Sequence, residues 1–395
     1  MKKEIAMALA AAVAAACAGR AAAETIVDVT REGAEKMAVS VATGGSPEFK
    51  KCLERNLAIS GAFVLATPGA AQIKVSGDAG GEVTVRGRGK AMTLASRAGD
   101  AAGLRKEARM LADKMCEAYA GRPGFASAPL AFVRKKGRAE ELCTGYADGS
   151  DVRQLTSGGK ACVGPRWRGP NALFYTGFHN NAPQVFEIDA STGRSKLKWG
   201  FGGLTACASV APGGSTAALV ISKPFGNPEL CTIDLGGNTW RRLTNTPAAN
   251  EGQPAWSPDG RKIAFVSDET RRQHLYVFDL ASGAKKRITS TGTQNVDPDW
   301  GPSGKIAYIT KRGGQASVAI LDPATGDREG RLVTKPGKWE HPTWAPDGRH
   351  VAVEHEGMLY LVDTEEDGDE PRKLFGIDGK CITPCWYRAP GGNAQ

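Results

Sequence analysis

The 395-residue chain carries 41% hydrophobic and 24% charged side chains, the balance of a globular protein with room for two or three domains. Its formal charge is +9, but the basic residues are scattered apart from Arg134-Lys135-Lys136 and Arg138 and are not interleaved with aromatics, which argues against nucleic-acid binding. Fifty glycines and 22 prolines point instead to many short strands joined by tight turns.

Residues 1–23 read as a secretory signal peptide. Lys2 and Lys3 precede an apolar run from Ile5 to Ala18, and Ala21-Ala22-Ala23 supplies a small-residue cleavage site. The run is too short to span a bilayer comfortably, and no later segment is apolar enough to form an integral membrane segment. A competing reading makes Cys17 a lipid-attachment cysteine, although Ala14 stands where a larger aliphatic is usual. Removing the signal takes away Lys2, Lys3, Arg20 and Glu4 and leaves a charge of +7.

Residues 24–124 read as a small α/β domain. Thr25-Ile26-Val27-Asp28-Val29 is strand-like. Ser46-Pro47-Glu48 opens a helix carrying Phe49, Cys52, Leu53 and Leu57, with serine at the cap and proline in the first turn. Gln72–Val75 and Glu82–Val85 alternate as strands do. Leu104, Ala108, Leu111, Met115 and Tyr119 then line one face of a helix over about 100–120, which Gly121 and Pro123 stop.

From residue 125 to the end, helical periodicity gives way to a repeat. Pro254-Ala255-Trp256-Ser257-Pro258-Asp259-Gly260, Pro298-Asp299-Trp300-Gly301-Pro302-Ser303-Gly304 and Pro342-Thr343-Trp344-Ala345-Pro346-Asp347-Gly348 are each followed by an apolar run. Their tryptophans are 44 residues apart, and weaker copies are anchored at Trp167, Val210 and Trp386. A period in the low forties with several strands per unit means propeller blades. Leu130-Ala131-Phe132-Val133 matches the strand after the turn but lacks the turn before it, whereas Trp386 has nothing after it. The C-terminal strand therefore completes the first blade. The fold class expected is a small α/β N-terminal domain plus an all-β six-bladed propeller, with ring strands at 130–133, 172–175, 217–221, 262–267, 305–310 and 350–353.

This organisation resembles the TolB family of the Tol-Pal envelope system. The likeness is carried by Asn56-Leu57-Ala58-Ile59-Ser60-Gly61-Ala62-Phe63, by the helix Leu104–Lys114 with Arg109 where histidine is usual, by Gly121-Arg122-Pro123-Gly124-Phe125, and by Gln294-Asn295 and Ser267-Asp268. The resemblance implies a periplasmic protein that binds a peptidoglycan-associated (Pal-like) lipoprotein at one mouth of the propeller and inner-membrane Tol proteins through its N-terminal segment. It implies a role in envelope integrity and cell division, with no reaction and no cofactor; we expect a monomer. Leu204-Thr205 stand where the family pattern has His-Asn, and Gly252-Gln253 replace a Thr-Glu-like pair.

Gln253, Asp297 and His341 each lie three residues before an anchor tryptophan, with Asn250, Glu251, Asn295 and Glu340 nearby. Equivalent positions in a ring converge on its axis, so these seven form the candidate partner-binding face. The competing reading is that they cap turns in the loops entering the inner strands. His341 has no second histidine at zinc spacing and reads as a solvated loop residue; calcium among the carboxylates stays open, although no DxDxDG loop is present. Propeller-bearing hydrolases and lyases are the enzymatic alternative, but the chain contains no G-x-S-x-G nucleophile turn. Among eight cysteines beyond the signal, Cys162 and Cys381 each lie five residues before an anchor, and Cys52 and Cys116 share the first domain. Both pairs are disulfide candidates, with core packing as the rival.

Overall fold

The computed structural model describes residues 36–158, 161–223, 226–366 and 370–389. The signal peptide, Cys17 and the Thr25–Val29 run lie outside them, as do Asp367, Gly368 and Asp369 of the acidic stretch. Among the described residues no helix is long and apolar enough to cross a membrane.

The first domain is a five-stranded mixed sheet carrying two helices. Its strands are β1 (Met37–Gly44), β2 (Phe63–Leu65), β3 (Ile73–Asp78), β4 (Glu82–Gly87) and β5 (Lys90–Ala95), in the order β2-β1-β3-β4-β5. β1 pairs in parallel with β2 and β3; the remaining pairs are antiparallel. Helix α1 (Pro47–Ile59) starts where Ser46 Oγ accepts the Phe49 N–H at 3.2 Å. Helix α2 (Ala101–Met115) starts where Asp100 accepts from Gly103, and a single π turn over Cys116–Ala120 extends it to Gly121 at φ 66°. Phe49, Leu53 and Leu57 of α1 and Ala108, Leu111 and Met115 of α2 close the core against Val39, Ile73 and Val83 of the sheet.

Six four-stranded antiparallel sheets follow. We number the blades along the chain, so that the first contains strands Leu130–Lys136, Ala139–Gly145 and Arg153–Gln154. Its fourth and innermost strand is Lys380–Trp386, the last strand among the described residues, paired so that Trp386 faces Leu130 and Lys380 faces Lys135. The ring therefore closes by joining the two ends of the propeller chain. The second to sixth blades have innermost strands Val163–Gly169, Thr205–Val210, Glu251–Trp256, Gln294–Trp300 and Trp339–Trp344.

Neighbouring blades are held by one repeated contact. Trp256 packs on Ala218 and Leu230 of the blade before it, Trp300 on Ala255 and Ala264, and Trp344 on Ala307 and Ile320. Three indoles also donate to the carbonyl of the residue just before the preceding anchor: Trp256 to Ser209 (2.9 Å), Trp344 to Asp299 (3.1 Å) and Trp167 to Cys385 (3.0 Å). A buried tryptophan thus seals an apolar interface and satisfies its own polar atom across it.

The first domain rests on the tryptophan end of the ring. Arg109, almost fully buried, stacks on Tyr146 at 3.6 Å and donates to Asp151 (2.9 Å) and Ser150 (2.6 Å) in the turn after Gly145. Cys52 Sγ donates to Asp148 Oδ2 at 3.0 Å, and Arg372 reaches the Ala58 carbonyl. His350, fully buried beside Gly61, lies between Asp347 (2.5 Å) and Asp363 (3.4 Å).

The expected disulfides are not formed: the eight described cysteines are thiols. Cys162 packs with Leu142, Leu155 and Tyr175, whereas Cys381 belongs to a separate cluster with Phe132, Leu361 and Trp386. Cys52 is engaged by Asp148 at the domain seam rather than by Cys116. Burial pushes the Cys116 thiol up to about 12, and Cys52 is raised chiefly by burial and further by Asp148, so both are inert thiols of the packing kind.

Candidate functional site

The three residues placed before the anchor tryptophans are not in loops. They sit inside the inner strands, each at a β-bulge. Register slips fall at Ala206/Ser209, Gly252/Ala255, Val296/Asp299, Glu340/Thr343 and Ile382/Cys385. At these slips Cys207, Gln253, Asp297, His341 and Thr383 have φ of 58°, 51°, 53°, 53° and 48°, and Gly164 completes the set at 56°. Non-glycine residues seldom adopt this left-handed region, and bulges that impose it re-aim a side chain. One such residue per blade makes a six-membered ring around the axis.

Four of the bulges turn a backbone N–H toward the preceding blade, where a side chain accepts it. Cys207 donates to Thr176 Oγ1 (3.1 Å), Asp297 to Gln253 Oε1 (2.9 Å), His341 to Asp297 Oδ2 (3.3 Å) and Thr383 to Glu354 Oε2 (3.3 Å). Gln253 Nε2 also donates to Asp297 Oδ1. The structure thus brings Gln253, Asp297 and His341 together as one hydrogen-bonded chain.

The other candidates divide. Asn250 and Glu340 are exposed. Glu251 is buried and accepts from Thr246 at 2.8 Å; Asn295 is buried and bonded to His274 and to the Thr291 carbonyl. Those two brace turns, so of the seven candidates Asn250, Gln253, Asp297, Glu340 and His341 are the ones that are not buried. They lie at the end of the ring away from the first domain, because the inner strands begin there and end at their tryptophans. At the tryptophan end a cavity of about 190 Å³ is lined by Arg166, Trp167, Asp299, Trp300, Trp386 and Arg388 among others.

His341 is not a solvated loop residue. Its Nδ1 is 3.2 Å from Glu354 Oε2 and its Nε2 is 4.0 Å from Asp297 Oδ2. Burial alone would lower its pKa, but Asp297 and Glu354 outweigh that and raise it to about 9. Glu354 escaped sequence reading because it lies on the neighbouring strand, ten residues past the anchor Trp344. Superposing the blades by register exposes it. The cross-strand pair Glu340–Glu354 occupies the place of Ala206–Val220, Gly252–Val266, Val296–Ile309 and Ile382–Val133 elsewhere in the ring.

The family model described as the TolB beta propeller domain matches residues 116–389, more than half of the chain.

The chain belongs to the TolB β-propeller family.

Among curated relatives, the Tol-Pal system protein TolB of Gluconobacter oxydans is 26% identical over 255 residues, covering 63% of this chain and 55% of that protein. The protein TolB homolog of Chlorobium chlorochromatii is 29% identical over 194 residues, covering 49% of this chain and 39% of that protein. The uncharacterized peptidase YuxL of Bacillus subtilis is 27% identical over 146 residues, which is 22% of its own length. The chain thus spans about half, or less, of the curated relatives it matches. The crystal structure of TolB from Acinetobacter baumannii superposes with a TM-score of 0.78 at 22% identity, covering 89% of this chain and 97% of that one. The TolB fold therefore extends over both described domains.

Proposed function

We propose that this TolB-family chain is a non-enzymatic protein-binding scaffold of a Tol-Pal-like system. Its mouth of Asn250, Gln253, Asp297, Glu340 and His341 binds a Pal-like lipoprotein, and its N-terminal segment binds inner-membrane Tol proteins. Export through the signal peptide places it in the periplasm, where it acts as a monomer with no reaction of its own. The observation that carries the reading is the ring of bulges: one backbone geometry, repeated in every blade, presents a different side chain from five of the six to a single mouth. Such a display suits recognition of a folded surface. It contains no nucleophile–base pair of the kind hydrolysis needs.

The test is co-purification with the Pal-like lipoprotein from envelope fractions. Asn250→Arg, Gln253→Arg and Asp297→Arg are each expected to reduce capture at least about tenfold, since a charge without a partner at a contact costs roughly 1.4 kcal/mol or more. Undiminished capture by all three would move the site elsewhere. Turnover in a screen of peptide and oligosaccharide substrates would overturn the non-enzymatic assignment.

A further inference from the structure

Four of the six blades fill one inner cross-strand pair with small or aliphatic residues. In the sixth blade that pair is Glu340 and Glu354, two carboxylates directly opposite one another. Like charges facing across strands destabilise a sheet, and Glu354 is also buried, at 7% exposure. Something positive must sit between them. The side chain inserted there is His341, aimed by its left-handed backbone.

The ligand atoms of Glu340, His341 and Glu354 all lie within 4.8 Å of one another. Two donors bound tetrahedrally at zinc distances stand about 3.4 Å apart; His341 Nδ1 and Glu354 Oε2 are 3.2 Å apart. Asp297 Oδ2 lies 4.0 Å from the other ring nitrogen, a nearby negative charge that is beyond hydrogen-bond reach of the ring. A separate observation points to a missing partner. Thr383, the next member of the ring, donates its backbone N–H to Glu354, while its buried hydroxyl (5% exposed) has no partner among the described residues.

We propose that Glu340, His341 and Glu354 bind one divalent transition-metal ion of the zinc type at the mouth of the ring. One imidazole with two carboxylates selects such an ion over calcium, which takes oxygen donors alone. Water fills the remaining position, leaving it open to a donor from outside. The metal relieves the repulsion between the two carboxylates and so ties the inner two strands of the sixth blade together.

The inference does not rest on the partner-binding reading, because the metal is measured on the isolated chain. Zinc chloride is titrated calorimetrically into the purified chain, and thermal unfolding is followed with zinc and, separately, with calcium. One zinc per chain and a raised midpoint are expected. Glu354→Val restores the residue type of the other blades, so it should fold; it is expected to weaken zinc binding about 100-fold or more, beyond what loss of an outer partner costs. His341→Gly suits the left-handed backbone and should do the same. Absence of stoichiometric zinc binding, binding undiminished in both variants, or a midpoint raised by calcium and not by zinc would overturn the proposal.

Discussion

Trp344 shows how much of the ring depends on single side chains. It is fully buried, donates to the preceding blade, and lies so close to Gly301 that a Cβ there would meet its ring at 2.6 Å. The repeat reflects this fit: serine and alanine occupy the position after the anchor at Ser257 and Ala345, but glycine does so at 301. Trp344→Ala is expected to cost about 3–5 kcal/mol through the cavity and the orphaned Asp299 carbonyl. Gly301→Ala should cost about 1–3 kcal/mol by overpacking. Chemical denaturation of both variants checks these values, and a Gly301→Ala protein as stable as the parent would refute the close fit. Residue identity was legible in sequence at the anchors and at Gln253, Asp297 and His341, because a fixed spacing singles them out. Their partners were not. Glu354 meets His341 from the neighbouring strand, and Thr383 meets Glu354 from the next blade, so neither contact follows from spacing along the chain, and Asn295 looks like its polar neighbours until its burial is known.

At the scale of elements, the seam between the first domain and the sixth blade is built on a buried histidine held between two carboxylates. Burial alone would depress the His350 imidazole, but Asp347 and Asp363 more than offset this and hold it above its ordinary value. Asp363, despite burial, is held well below the carboxylate range by His350 and Arg349. Arg372 approaches the far ring nitrogen at 3.5 Å, and Gly61 of the first domain closes the pocket. A histidine raised in the folded state contributes stability that is complete below its unfolded value of about 6.5 and is lost as pH climbs through the folded value. The thermal midpoint should therefore fall on the alkaline side of about pH 6.5. His350→Gln should be less stable at low pH and should show a shallower slope, the remainder coming from His341, whose raised value acts in the same direction; an unchanged slope would assign the whole effect to other groups. The elements themselves were unequally readable. Helices α1 and α2 announce themselves by caps and by a 3.6-residue period. Strand β1 does not, because its parallel partners lie some 25 residues or more away and its own residues are mostly small. The bulges were invisible for a related reason: a register slip is a property of two strands together.

For the whole molecule, the decisive feature is that the ring is closed by the last described strand. Lys380–Trp386 supplies the inner strand of the first blade and packs Trp386 beneath Ala345 and Ala352 of the sixth. Truncation before Lys380 leaves Leu130–Lys136 with an unpaired edge and opens two blade interfaces at once. Such a chain should lose cooperative unfolding and associate, as read by calorimetry and size-exclusion chromatography; a monomer melting at the parent's temperature would contradict closure by this strand. The blade count and this closure were both legible, since the first copy of the repeat lacks the turn before its strand and the anchor at Trp386 supplies the inner strand that copy needs.

The six left-handed stations around the axis ask little of the amino acid that occupies them. Glycine, cysteine, glutamine, aspartate, histidine and threonine all serve. One backbone geometry thus admits six different residues, and mutation can rewrite what the opening says, one spoke at a time, wherever the side chain does not, like those of Gln253 and Asp297, also fasten the next spoke to the wheel.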